Sequence, residues 1–147
     1  MNKAKKLTES KINPDTLSGQ TLAYRGDGIY EAAIRRHLIK GGMLKPQNLQ
    51  RAATYYVSAK AQAALVAKMQ DDGVLNEAEL TAFRRGRNAK THTKAKHTSL
   101  HTYEMSTGFE AIIGYLDLAG QGARVAELIA WCIDEVENGG TDEYVFK

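Results

Sequence analysis

Two carboxylates in this sequence stand where a carboxylate is costly. Asp27 lies between Gly26 and Gly28 in "AYRGDGIYE" (23–31), a segment whose flanks read as helix. Glycine costs a helix interior about 0.5–1 kcal/mol relative to alanine, and aspartate is a poor interior residue too. Glu110 sits in "STGFEAIIGYL" (106–116), beside Phe109 and two residues before Ile112. An ionised carboxylate in such a run needs a cation or hydrogen-bond donors to offset its desolvation. Residues three, four and seven apart share a helix face. From Asp27 that face carries Gln20, Ala23, Tyr24, Glu31 and Ile34. Glycines on both sides of Asp27 remove side chains, so another backbone or a ligand can come close. Each acid is then a rim residue, half of a buried pair, or a ligand. Two carboxylates from different helices suit a hard cation such as Mg2+, which takes oxygen ligands and keeps water. A metal-activated water beside a polyanion would give phosphodiester hydrolysis.

The charge distribution points to a polyanion. The net charge is only +3, but the signs are segregated. Between Glu31 and Asp71 the sequence has no acid and carries Arg35, Arg36, Lys40, Lys45, Arg51, Lys60 and Lys68. Between Glu79 and Glu104 it again has none, against Arg84, Arg85, Arg87, Lys90, Lys94 and Lys96. Past residue 116, acids dominate. Such blocks are the footprint expected of a polyanion partner, the alternative being a solvated surface whose segregation exists only in sequence.

The elements that must position these residues read as helices, and no alternating run indicates a strand, so the expected class is all-α. The first helix is expected from near "NPDT" (13–16), with Asn13 or Asp15 as cap and Pro14 in the first turn. Its apolar stripe is Leu17, Tyr24, Ile29, Ala33, Ile34 and Leu38, and "KGG" (40–42) stops it. A long helical stretch over 45–70 is expected to break near Val57–Ser58. Asn76 with Glu79 forms a capping box that opens a helix through about Arg87. Residues 89–99 are polar, basic and aperiodic, and read as a loop. Two further helices are expected over about 100–119 and 123–137. The resulting organisation is a basic segment 1–13, one domain over 14–137 and a tail 138–147.

A single cysteine, Cys132, cannot form an internal disulfide, which favours a reducing interior. No apolar run follows the basic start, and no window approaches the roughly 18 apolar residues of a membrane span. A cytoplasmic protein without a membrane partner is expected.

Four segments together resemble the ribonuclease III catalytic domain, and more closely its short Mini-ribonuclease III form. They are "LAYRGDGIYE" (22–31), "YVSAKAQA" (56–63), "FRRGRNAK" (83–90) and "TYEMSTGFEAIIGYL" (102–116). The resemblance implies a helical homodimer and a Mg2+-dependent endoribonuclease, with Mn2+ able to substitute. It also implies cleavage of a double-stranded stem of precursor large-subunit ribosomal RNA, leaving 5′-phosphate and 3′-hydroxyl ends. A ribosomal protein is a possible assistant. Asp27 matches the aspartate of the family's Gly-Asp signature and Glu110 its late glutamate, which implies that both are catalytic metal ligands. Further family acids fall here on Gln20, Ala23 and Thr107, a thinning that the Mini form shares. Glu31, Thr107 or ordered water is left to support the site.

The resemblance also implies RNA-backbone contacts for Arg84, Arg85, Arg87, Asn88, Lys90, Lys94 and Lys96, and a scissile-region phosphate contact for Lys60. Without it, cations at a helix end simply complement the dipole. Arg25, Glu104 and the 91–99 stretch depart from the usual Mini pattern and bear on RNA affinity. His92, His97 and His101 have poor zinc spacing. Tyr55 and Tyr56 are adjacent and cannot share a face, so one belongs to core or interface. Trp131 and Cys132 read as packing. Two rival functions remain at this level: a non-catalytic RNA-binding dimer that keeps the fold, and a helical protein-interaction module acting through the acidic last helix.

Overall fold

The computed structural model describes residues 3–90 and 98–142. Its elements are a single 3-10 turn at Pro14–Thr16 and six helices: α1 (Gly19–Lys40), α2 (Pro46–Val57), α3 (Ala59–Asp71), α4 (Glu77–Arg87), α5 (Leu100–Leu118) and α6 (Gly122–Glu137). Among the described residues the fold is all-α, as the sequence predicts.

Local chemistry sets most boundaries. Ser18, Ser58, Asn76 and Ser99 cap α1, α3, α4 and α5 by accepting a backbone N–H in the first turn. The Asn76–Glu79 capping box is complete, with both bonds at 2.9 Å. Ser58 also ends α2 by adopting an extended backbone, so the expected break falls at that residue. Gly42, at φ 97°, closes the turn after α1 in a conformation that favours glycine.

The first helix differs from expectation. Asn13 caps only the 3-10 turn, Leu17 is extended, and α1 begins afresh after Ser18. The buried face of α1 is Leu22, Ala23, Gly26, Tyr30, Ile34 and Leu38. Tyr24, expected on the apolar stripe, is 86% exposed. The buried face is displaced from the apolar stripe because its central member, Gly26, carries no hydrophobic signal.

Helix α5 runs through the middle of the molecule, packed by α1, α3 and α4. Phe109, Ala111, Ile112, Ile113 and Leu116 are buried on several sides of it. Tyr30 meets Phe109 edge-on with ring centroids 4.9 Å apart, and Leu65, Val66, Met69 and Phe83 complete the core. Helix α6 covers one side with Val125, Leu128, Ile129 and Cys132. Tyr56 is buried and Tyr55 exposed, and Cys132 is a buried free thiol whose ionisation burial opposes.

Buried glycines set how close the helices come. A Cβ on Gly26 would stand 1.7 Å from the carbonyl oxygen of Glu110, and one on Gly114 would stand 1.8 Å from that of Leu22. The backbones of α1 and α5 therefore touch at a reciprocal glycine pair. Gly86 makes a similar contact between α4 and α5, where its Cβ would lie 2.7 Å from the Thr107 carbonyl. Gly28, by contrast, has nothing within 4 Å of its Cβ position. The two glycines flanking Asp27 thus serve different ends: Gly26 admits a helix, and Gly28 borders open space.

Gly26→Ala is expected to destabilise the fold by at least about 1–3 kcal/mol through overpacking against backbone. Gly28→Ala is expected to gain about 0.5–1 kcal/mol from helix propensity alone. Urea unfolding of the two variants checks both signs.

Candidate active site

The contact at Gly26 decides where Asp27 goes. With Gly26 pressed on the Glu110 carbonyl, the next residue of α1 projects beside the Glu110 side chain. The two carboxyl groups lie within hydrogen-bonding distance, and Glu31, one turn further along α1, adds its charge to the same region. Asp27 is exposed while Glu110 is partly buried, so the pair opens from the interior to the surface. The first turn of α3 brings the buried Gln62 to the neighbourhood of Glu110, where its amide favours the ionised carboxyl.

This environment pushes the Glu110 carboxyl up to about 9. Burial is the largest cause, followed by the hydrogen bond and the charge of Asp27. The Gln62 amide opposes them, and Glu31 adds a smaller upward push. Two facing carboxylates, one of them desolvated, resist ionising together unless a cation joins them. That is the donor set for a hard divalent ion that takes one or two carboxylates and fills its shell with water and substrate phosphate. Among the described residues no group of three His, Cys, Asp or Glu side chains converges as a ligand cluster. The carboxyl groups gathered here are those of Asp27 and Glu110, with Glu31 nearby.

Other residues singled out in the sequence are placed as follows. Glu31 forms an i,i+4 pair with Arg35 at 3.5 Å, so it is both near the carboxylates and anchored outward. Lys60 is exposed in the first turn of α3, two residues before Gln62. Thr107, one turn before Glu110, donates its hydroxyl back to the Tyr103 carbonyl at 3.0 Å. Gln20 is turned away from Asp27 and donates to the Lys90 carbonyl, while Ala23 is buried against Leu22 and Ala111. The positions that thin the acidic cluster are thus spent on packing and on holding the chain after α4.

Of the basic set, Arg84, Asn88 and Lys90 are exposed at the end of α4. Arg85 reaches the Pro14 carbonyl at 3.3 Å, and Arg87 lies over the Phe83 ring, 5.4 Å from its centroid. Among the described residues none of the four cations 84, 85, 87 and 90 pairs with a carboxylate. Lys94, Lys96, His92 and His97 lie outside the described residues.

Two features escaped sequence reasoning. Gln62 is 2% exposed; its signal was a single amide inside the buried run Ala61–Val66. Arg25, read from the sequence only as a departure bearing on RNA affinity, pairs with Asp117 at 2.7 Å and fastens α1 to α5 beside the glycine contact.

Comparison with known proteins agrees with this geometry. Residues 20–121 match the family model described as the Ribonuclease III domain. The chain belongs to the ribonuclease III family, and it is an endoribonuclease. Within that family it resembles proteins named Mini-ribonuclease 3. The one from Streptococcus pneumoniae is 50% identical over 126 residues, covering 86% of this chain and 98% of the relative. The one from Enterococcus faecalis is 51% identical over 127 residues, covering 86% and 95%. A crystal structure of a Fusobacterium nucleatum protein superposes with a TM-score of 0.71 at 28% identity, covering 81% of this chain and 93% of that one. Family members generally depend on divalent metals and act on double-stranded RNA. Among the described residues no helix is long and apolar enough to cross a membrane.

The shifted carboxyl has a sign that can be measured. A group whose proton is held more tightly in the folded chain makes stability fall as pH rises from its unfolded value to its folded one. For Glu110 that window runs from 4.5 to about 9. In metal-free protein, Glu110→Gln is expected to match wild type near pH 5 and to melt a few degrees higher near pH 8.5. Thermal unfolding of both proteins across that range checks it.

Proposed function

We propose that this protein is a Mg2+-dependent, homodimeric endoribonuclease of the cytoplasm that cuts a double-stranded stem of precursor large-subunit ribosomal RNA. Mn2+ is expected to substitute, and a ribosomal protein is a candidate assistant. The observation that carries the reading is the carboxyl pair of Asp27 and Glu110, joined across two helices at a glycine contact and open to the surface. Residues 14–137 form the catalytic domain in this reading, with 1–13 and 138–147 as its flanks.

Asp27 and Glu110 hold the cation from two sides. Mg2+ bound there would supply activation of an attacking water and charge stabilisation at the leaving 3′-oxygen, giving 5′-phosphate and 3′-hydroxyl ends. Glu31 and Thr107 support the surroundings of the pair. Gly28 leaves room beside Asp27 for an RNA backbone. Arg84, Arg85, Arg87, Asn88 and Lys90, with Lys94 and Lys96 in the following stretch, meet phosphates and 2′-hydroxyls. Double-stranded RNA is read chiefly by shape and backbone, which suits such a basic edge. Lys60 is assigned to a phosphate near the scissile bond.

Asp27→Asn is expected to abolish cleavage of a labelled duplex in Mg2+ while leaving its binding within a few-fold of wild type. Normal cleavage by that variant would overturn the assignment. Removing Mg2+ with a chelator should stop the wild-type reaction, and its return on adding the ion should be complete.

The basic edge makes a separate expectation. Arg84→Ala and Lys90→Ala should each weaken duplex binding without sequence preference. Each should lower the slope of log affinity against log salt by about one. Filter binding over a salt series measures this.

A further inference from the structure

Residues 3–13 precede the first turn and carry charge that the catalytic reading has not used. All of them are exposed and none is in a helix or strand; Leu7 and Ile12 are 86% and 55% exposed. The stretch "KAKKLTESKI" (3–12) holds Lys3, Lys5, Lys6 and Lys11 against one acid, Glu9. The surplus of this short stretch equals the +3 of the whole chain. Among the described residues none of the four lysines meets a carboxylate. An undocked arm with charge of one sign suits a partner of the opposite sign.

The root of the arm decides which partner. Asn13 closes the turn Pro14–Thr16 by accepting the Asp15 N–H at 3.0 Å, and the Tyr115 hydroxyl donates to Asp15 at 2.9 Å. Arg85 donates to the Pro14 carbonyl at 3.3 Å, and Leu17 packs on Leu22, Ala23 and Ala111. Gly19 then lies against the Arg85 carbonyl, where a Cβ would overlap it, and Gln20 donates to the Lys90 carbonyl. The arm is thus fastened to α5 and to the end of α4, where Arg84, Arg85, Arg87 and Lys90 form the basic edge. It prolongs that edge. Ten extended residues reach at most about 35 Å, long enough to follow a nucleic-acid backbone beyond it.

We propose that residues 3–11 are an RNA-binding arm, whose lysines contact phosphates of the duplex outside the span met by the basic edge. This rests on the reading of the protein as a nuclease of double-stranded RNA. Contacts of this kind release counterions and carry no sequence information. Ordering the arm offsets part of the gain, so its effect is smaller than that of four lysines on a fixed surface.

Two variants test the arm: Lys3→Ala, Lys5→Ala, Lys6→Ala and Lys11→Ala combined, and the same four positions changed to arginine. Both should melt with wild type, since the four side chains are exposed and unpaired among the described residues. In filter binding over a salt series, the alanine variant is expected to hold a long labelled duplex about tenfold more weakly at about 0.15 M salt. Its slope of log affinity against log salt should fall by about two. The loss in cleavage should appear in KM. The arginine variant keeps the charge and should bind within about twofold of wild type. An alanine variant that matches wild type in affinity and slope overturns the arm alone, and so does an arginine variant as weak as the alanine one. Sedimentation with vesicles of an anionic phospholipid covers the other polyanion: arm-dependent binding there, with duplex binding unaffected, overturns RNA as the partner. If wild type itself holds no duplex, the nuclease reading falls and the arm with it.

Discussion

The reciprocal contact of Gly26 and Gly114 is the constraint on which the rest of the molecule depends. Two helix backbones can approach this closely only where neither carries a side chain. The approach fixes the depth at which α5 lies in the molecule, and so the packing of Phe109, Ile112 and Ile113 against α1, α3 and α4. It also sets Asp27 against Glu110 without any loop. The carboxyl pair is built on regular helix, and its placement comes from backbone contact.

The same contact imposes a conflict. Packing would favour an apolar residue at 110, in the middle of the central helix, and the chain instead places a carboxyl facing another carboxyl. The fold tolerates this because the core around it is extensive. In the proposed reading, function and stability are opposed at this one point, as is common where a site must be ready for an ion or substrate. A second buried carboxylate is matched instead. Glu79, fully buried, accepts from Arg124 at 2.8 and 2.9 Å, and the same guanidinium donates to the Val74 carbonyl.

Much of this was legible in the sequence because it is written in local terms. The capping box at Asn76, the break at Ser58 and the stop at Gly41–Gly42 follow from side-chain chemistry over a few residues. The all-α class followed from helical spacing, and the two carboxylates stood out by their apolar or glycine surroundings. What was not legible depends on which helix lies opposite. Nothing at Gly26 or Gly28 distinguishes them until α5 is in place, when one is crowded and the other open. Tyr24 has the composition of a core residue and lies one position off the face that Gly26 marks. Gln62 and Arg25 acquire meaning only from Glu110 and Asp117, which are 48 and 92 residues away along the chain.

The attachment of α6 differs in kind from that of the other helices. Its middle is held by Leu128, Ile129 and Cys132, but both ends are fastened by carboxylates. At one end Arg124 grips Glu79; at the other Glu137 accepts from Tyr56 at 2.8 Å and meets His37 at 2.6 Å. Arg124 holds the Glu79 carboxyl, and His37 with Tyr56 holds that of Glu137, below the ordinary range. Acid therefore loosens the two ends of one helix together, while the contact of Gly26 and Gly114 between α1 and α5 is made by uncharged backbone. Amide hydrogens of α6 would exchange through a partial opening that leaves the central pair closed, giving the molecule two layers of cooperativity.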